Sequence, residues 1–391
     1  MLLELFRHWS ESVSGFSVFN YLTLRALLAA LTALFIGFAA GPAVIRKLRA
    51  MHFGQAVRTD GPKSHLVKDG TPTMGGALML VGIGVSTLLW ADLSNRFVWV
   101  TLFVTMGYGL VGWIDDYRKV VHHNPKGMSA REKFGWQSLI AVVAGVYLVF
   151  ALAVTPGATM AEAWQTWRAA GMPLEVSENL HLLIPFFKDI ALPFGLIGFL
   201  LFTFIVIVGS SNAVNLTDGL DGLAILPSVL VGSALGIFAY VVGRPDFSSY
   251  LLFPYIPGAG ELVVICGALA GAGLAFLWFN AHPAQVFMGD TGSLAIGGII
   301  AVFALLIRKE LLLPILCGIF FVESLSVIMQ VTYFKYTKKR YGEGRRIFLM
   351  SPLHHHFQKK GYFESKIVVR FWIVQLLPNV FRTSFSRAFS F

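Results

Sequence analysis

Asp115 and Asp116 close an apolar run, and Lys119 follows the first by four residues and the second by three. On a continuing helix all three share one face. Asn215, Asp218 and Asp221 recur at every third residue, a spacing that one helical turn would gather. Gly219 and Gly222 beside them point to a loop whose backbone can approach a ligand closely. Asp290 lies between Gly289 and Thr291-Gly292-Ser293, just before another apolar run. The plain alternatives are a solvated, ion-paired helix end and a polar turn. A short turn, however, has no need of two acids and an Asn without a basic partner. Carboxylates gathered without cations are costly unless something cationic joins them. Mg²⁺ is suited to this, because it takes oxygen ligands, commonly one or two carboxylates completed by phosphate oxygens and water. That combination suggests phosphoryl transfer, in which the metal bridges phosphate oxygens and basic residues hold the developing charge.

Two further features bear on the chemistry. His354-His355-His356 is followed by Phe357. Consecutive helical side chains point about 100° apart, which makes a poor single zinc site, and no thiol lies near. Phosphate binding or proton handling by one of the three, or packing of their loop, remain as readings. Glu323 falls inside an apolar run, where an ionisable group is expensive and commonly functional. It favours a transporter, but a transporter carries repeats and a site near the bilayer midplane. No motif repeats between the halves here.

The elements that must hold these residues are membrane spans. Hydrophobic residues make up 56% of the 391 and charged residues 13%, with a mean hydropathy of +0.69. A soluble globular chain has about 25% charged residues. Ten apolar segments are candidate spans: 24–45, 74–91, 97–114, 136–154, 194–210, 222–242, 262–279, 293–307, 311–334 and 366–381. The last is the weakest, cut short by Pro378, Arg382 and Arg387. The expected fold is therefore an all-α polytopic membrane protein of about ten transmembrane helices, one integral-membrane domain over 1–391. Cys266 and Cys317 sit alone in apolar runs as packing residues. The first 20 residues lack the basic start and apolar core of a cleaved signal peptide.

Lys and Arg distribution sets the orientation. Most of the 31 basic residues fall in loops 46–68, 118–133 and 335–366, which are then cytoplasmic. Both termini face the periplasm, as does the loop 155–193 with Trp164 and Trp167, expected to pack on the outer face away from chemistry. The loop 335–365, with the His run, is cytoplasmic. The net charge of +10 is thus a topology signal, and nucleic acid is not an expected partner. All five polar segments land on the cytoplasmic face: Lys68–Gly76, Asp115–Lys119, Asn215–Gly222, Asn280–Asp290 and Pro352–Phe357.

In that order, Thr71-Pro-Thr-Met-Gly-Gly76, Asp115-Asp116, Asn215–Gly222, Phe287-Met-Gly-Asp290 and His354-His-His-Phe357 resemble the polyprenyl-phosphate N-acetylhexosamine-1-phosphate transferases over nearly the whole chain. The resemblance implies a Mg²⁺-dependent enzyme of the bacterial inner membrane with its site facing the cytoplasm. The triple His followed by Phe favours, within the family, a UDP-N-acetylmuramoyl-pentapeptide donor over UDP-N-acetylglucosamine. The acceptor implied is undecaprenyl phosphate and the products are lipid I and UMP, in peptidoglycan synthesis. By matching motif, Asp115 and Asp116 are the acidic pair, one of which deprotonates or orients the lipid phosphate. Asp290 is the main metal ligand. Lys68, Asn215, Asp218, Gly219, Asp221, Asn280 and Phe287 line the nucleotide site, with Phe287 near the uracil. Lys119, Lys133 and His354, His355 and His356 contact phosphates or the donor, Lys119 and His354 in catalytic roles. Gly-rich spans permit a homodimer.

Overall fold

The computed structural model describes residues 1–51, 70–121, 127–153, 182–183, 191–193 and 195–388, together with 162, 165, 168 and 169. It is almost entirely helical. A helix occupies each of the ten expected segments: α2 (Leu22–Ala50), α3 (Gly76–Trp90), α4 (Arg96–Val121), α5 (Ala130–Ala153), α6 (Gly195–Thr217), α7 (Ile225–Val242), α9 (Leu262–Asn280), α10 (Gly289–Leu306), the pair α11 (Leu313–Leu316) and α12 (Gly318–Tyr341), and α14 (Glu364–Ala388). Shorter helices add α1 (Leu2–Ser10), α8 (Pro245–Tyr250) and α13 (Leu353–Lys359). Among the described residues six helices are long and apolar enough to cross a membrane. A seventh crossing is formed if the segments Glu310–Leu316 and Gly318–Tyr341, bent by 85° to one another, are one span. The protein is a multi-pass membrane protein.

Helix α10 is the axis of the bundle. Every residue from Thr291 to Leu306 is buried, so its sequence is apolar all round rather than along one stripe. It packs against α3, α4, α6 and α7. Helices α2 and α9 form another close pairing, through small residues. A Cβ on Gly267 would stand 2.3 Å from the Ala26 carbonyl oxygen, and one on Gly271 would stand 2.0 Å from that of Ala30. In lipid there is little hydrophobic drive between helices, so such backbone approach supplies the packing.

Helix starts at the polar end follow from local capping. Ser129 precedes α5 and its Oγ accepts the Glu132 N–H at 3.2 Å, the Ser-x-x-Glu start that leaves Lys133 in the first turn. At the opposite end, Arg25 of α2 and Glu261 form a buried ion pair, with Nη2 to Oε2 at 3.1 Å, and Glu261 Oε1 also accepts the Asp92 N–H at 2.7 Å. A helix at Leu2–Ser10 was not expected. It is held by stacking of Phe6 on Phe19 and Trp90 and by Arg7 to Asp92 at 3.0 Å. In the 155–193 loop, Leu182–Leu183 pairs antiparallel with Ala191–Leu192. Trp164 and Trp167 lie outside the described residues, so the expected packing of this loop does too. Helix α14 runs on past Pro378 to Ala388, longer than the short final segment the sequence suggests.

Candidate active site

Chain direction brings the last turns of α4, α6 and α9 and the first turns of α3, α5, α7 and α10 to one end of the bundle. There Asp115 and Lys119, four residues apart on α4, are 2.8 Å apart from Oδ2 to Nζ, as the spacing predicts. Lys119 Nζ is also 2.8 Å from Asp290 Oδ2. Lys133 Nζ lies 3.3 Å from Asp115 Oδ2 and 2.7 Å from Asp290 Oδ2. Two ammonium groups therefore bridge two carboxylates from different helices. The remaining oxygens are used as well: Asp115 Oδ1 accepts the Met128 N–H at 2.6 Å, and Asp290 Oδ1 accepts Asn215 Nδ2 at 2.7 Å. Asn215 Nδ2 also donates to Ser293 Oγ at 2.8 Å. Asp290 sits in the first turn of α10, where the helix dipole favours negative charge.

Asp116 has a different place from its neighbour. It is 3% exposed, Oδ1 accepts the Asp290 N–H at 3.2 Å, and Oδ2 accepts the Thr291 N–H and hydroxyl at 3.0 and 2.8 Å. The first N–H groups of a helix have no partner within it, and Asp116 supplies one from α4. Gly289 begins the turn with φ +71, and a Cβ there would stand 2.5 Å from Asp116 Oδ2. The acidic pair therefore divides: Asp116 holds the Asp290 and Thr291 N–H groups, and Asp115 is the one that meets the lysines.

The Asn215–Asp218–Asp221 spacing also divides. Helix α6 ends at Thr217, so one turn does not gather the three. Asp218 stays half-buried near the main cluster. Burial, with the negative charges of Asp290, Asp116 and Asp221, pushes its carboxyl up to about 8. Asp221 turns to a second group: Oδ2 lies 3.0 Å from His282 Nδ1 and accepts the Ala284 N–H at 3.1 Å, while its own N–H donates to Glu364 Oε1 at 2.9 Å. Asn280, 2% exposed, accepts the Gly222 N–H at 3.0 Å and donates to the Val286 carbonyl at 2.9 Å. Its amide thus ties the 218–222 and 280–288 loops together. Phe287 is half-buried, with its N–H on the Pro72 carbonyl at 2.8 Å and its carbonyl taking the Gly75 N–H at 2.9 Å. Lys68 lies outside the described residues.

The three histidines have three different neighbours. His354 is 1% exposed and packs between Glu323 and Gly219, so direct contact with a phosphate is not open to it in this conformation. His355 Nδ1 is 2.8 Å from Gln358 Oε1. His356 Nδ1 accepts the Leu349 N–H at 3.1 Å, and burial, then the Lys360 charge, lowers its pKa. Thr291, Ser293, Met128, His282 and Glu364 complete these groups without having been singled out as site residues. For Thr291 a signal existed: a hydroxyl beside an Asp at the start of an apolar run is a capping pattern.

The donor set fits Mg²⁺. Among the described residues Asp115, Asp116, Asp218 and Asp290 face two counter-charges, Lys119 and Lys133. Asp290 and Asp115 are the pair whose Oδ2 atoms converge on Lys119 and Lys133, and this close pair of carboxylates suits an ion that takes one or two carboxylates and fills its shell with phosphate and water. Residues 98–308, more than half of the chain, match the family description glycosyl transferase family 4, and this span carries the Asp115, Asn215 and Asp290 segments together. The chain belongs to glycosyl transferase family 4, and is a membrane-embedded polyprenyl-phosphate sugar-phosphate transferase.

Proposed function

We propose that the protein transfers phospho-N-acetylmuramoyl-pentapeptide from its UDP-linked donor to undecaprenyl phosphate, giving lipid I and UMP, the activity of a phospho-N-acetylmuramoyl-pentapeptide-transferase. The observation that carries the reaction class is the Asp115–Lys119–Lys133–Asp290 bridge at a helix N-terminus. The donor choice is supported by the His354-His355-His356-Phe357 segment seated against the Asp218–Gly222 loop. The site lies at the cytoplasmic face of the bacterial inner membrane, with both termini outside, as the basic loops indicate.

In this reading the lipid phosphate oxygen attacks the β-phosphorus of the donor, and the bond to UMP breaks in line. A phosphate monoester is already largely ionised near neutral pH, so little base strength is required. Asp115 orients the acceptor, while Lys119 and Lys133 turn from the carboxylates to the phosphate oxygens and hold the charge that develops there. Asp290, with Asp115, would hold Mg²⁺, which when bound polarises the phosphate oxygens and neutralises the departing UMP. Asn215 keeps the Asp290 carboxylate in one orientation. The loops at 70–76, 218–222 and 280–288 wall the nucleotide, with Phe287 at the uracil.

The test is UMP release by the purified protein with both substrates, with and without Mg²⁺, beside Asp290→Asn. Metal-dependent turnover lost in the variant supports the reading. Turnover with UDP-N-acetylglucosamine instead keeps the chemistry and changes the donor. Silence with both donors in folded protein overturns it.

A further inference from the structure

Glu323 lies in the second turn of α12, just beyond the 85° bend, and is 1% exposed. A carboxylate among apolar helices is costly unless it is paired. Both of its oxygens address a single residue. Oε1 accepts the backbone N–H of His354 at 3.1 Å, at the start of α13. Oε2 lies 3.2 Å from Nδ1 of the same His354, a close approach rather than an aligned hydrogen bond. The far edge of the ring meets the site: a Cβ on Gly219 would stand 2.2 Å from His354 Nε2. The imidazole thus fills the space between a buried carboxylate and the backbone of the residue after Asp218. Only a glycine leaves room for it.

We infer that Glu323 is a positioning residue for the donor side of the site: it fixes His354, and the His354 ring sets the backbone of the Asp218–Gly222 loop. This rests on the reading of that loop as a wall of the nucleotide site. The other ties on the loop act on its later half, Glu364 to the Asp221 N–H and Asn280 to the Gly222 N–H. The His354 ring acts on the first half, beside Asp218. A buried group that only stabilised the bundle would have no reason to reach the loop through an imidazole and a glycine.

Glu323→Gln keeps an acceptor for the His354 N–H and removes the charge facing Nδ1. Gly219→Ala places a methyl against the ring from the other side. The experiment measures kcat, KM for each substrate, thermal midpoint, and amide exchange of residues 217–223 in both variants and in a His354→Ala background. Both single variants are expected to raise the donor KM about tenfold, equal to about 1.4 kcal/mol, with acceptor KM and kcat within about threefold. Exchange at 217–223 is expected to speed up while the thermal midpoint holds. In the His354→Ala background neither change should add a further effect, because the ring they act through is gone. Loss of kcat at unchanged donor KM, full additivity with His354→Ala, or unchanged exchange at 217–223 would overturn the inference. If the wild-type protein turned over neither donor, the functional reading would fall, and amide exchange would still decide whether Glu323 sets the loop.

Discussion

Thr291 donates twice to one oxygen of Asp116, through its backbone N–H at 3.0 Å and its hydroxyl at 2.8 Å. The two residues are on α10 and α4, so the contact fixes the start of one helix against the end of the other. It also fixes Asp290, whose own N–H reaches the second Asp116 oxygen. The acidic pair of the sequence is therefore a division of labour. Asp116 sets where α10 begins, and Asp115 pairs with Lys119 and Lys133.

Thr291→Val keeps the shape and the backbone N–H but removes the hydroxyl. A hydrogen bond to a charged group contributes about 1.5–3 kcal/mol, and its loss lets Asp290 drift from the lysines. The expected result is a fall in kcat of about tenfold or more with a lower thermal midpoint, and recovery of both in Thr291→Ser. Wild-type kinetics in the valine variant would show that the cap does not set the site.

Lys133 comes from the first turn of α5 and bridges both carboxylates, with its side chain 19% exposed. Lys133→Met leaves Lys119 alone between them. Loss of one preorganised positive group at developing charge typically costs about 10²–10³ in kcat. Initial rates at saturating concentrations of both substrates should show a loss of that order, and a loss below about threefold would remove Lys133 from the reaction.

How much of this was legible in sequence depends on chain separation. The Asp115–Lys119 pair is one helical turn, and the structure makes it as the spacing predicts. Each expected span is a helix, because long apolar runs leave the backbone no other way to satisfy its polar groups in lipid. The bridge to Asp290 was not legible, since Lys133 and Asp290 are 157 residues apart and meet only through helix packing. The Asn215–Asp218–Asp221 spacing misled for a local reason. Helicity ends at Thr217, and Gly222 takes φ +75, so the third acid turns to His282 and Glu364. Glu323 was visible as an anomaly in an apolar run, but its partner is 31 residues on, beyond the end of its own helix.

Asp218 gives a pH prediction. Its carboxyl, ordinarily at 3.8, is pushed up to about 8 in the fold by burial and by the neighbouring acids. Below pH 3.8 the folded and unfolded chains both hold the proton, and this group costs nothing. As pH rises from about 4 to about 8, the unfolded chain releases the proton while the folded one retains it, so wild-type stability falls across that window and levels off above it. Asp218→Asn cannot ionise. Its thermal midpoint relative to wild type should rise steadily between pH 5 and 8 and then stay constant. A difference independent of pH would mean that Asp218 is ionised in the folded protein at neutral pH.

Asn280 tests whether the loop junction or a ligand contact matters at that position. Its amide accepts the Gly222 N–H and donates to the Val286 carbonyl, and both partners would be left buried and unpaired in Asn280→Ala. Each such group costs about 1–3 kcal/mol. The two loops it joins carry Asp221 on one side and Phe287 on the other, so their separation should weaken donor binding more than it slows the chemical step. Asn280→Ala is expected to raise the donor KM about tenfold and to lower the thermal midpoint. Asn280→Asp keeps the acceptor for Gly222 but sets a carboxylate oxygen against the Val286 carbonyl, and should be worse in stability than in KM. A loss of donor binding in Asn280→Ala with no change in thermal midpoint would instead place the Asn280 amide on the ligand.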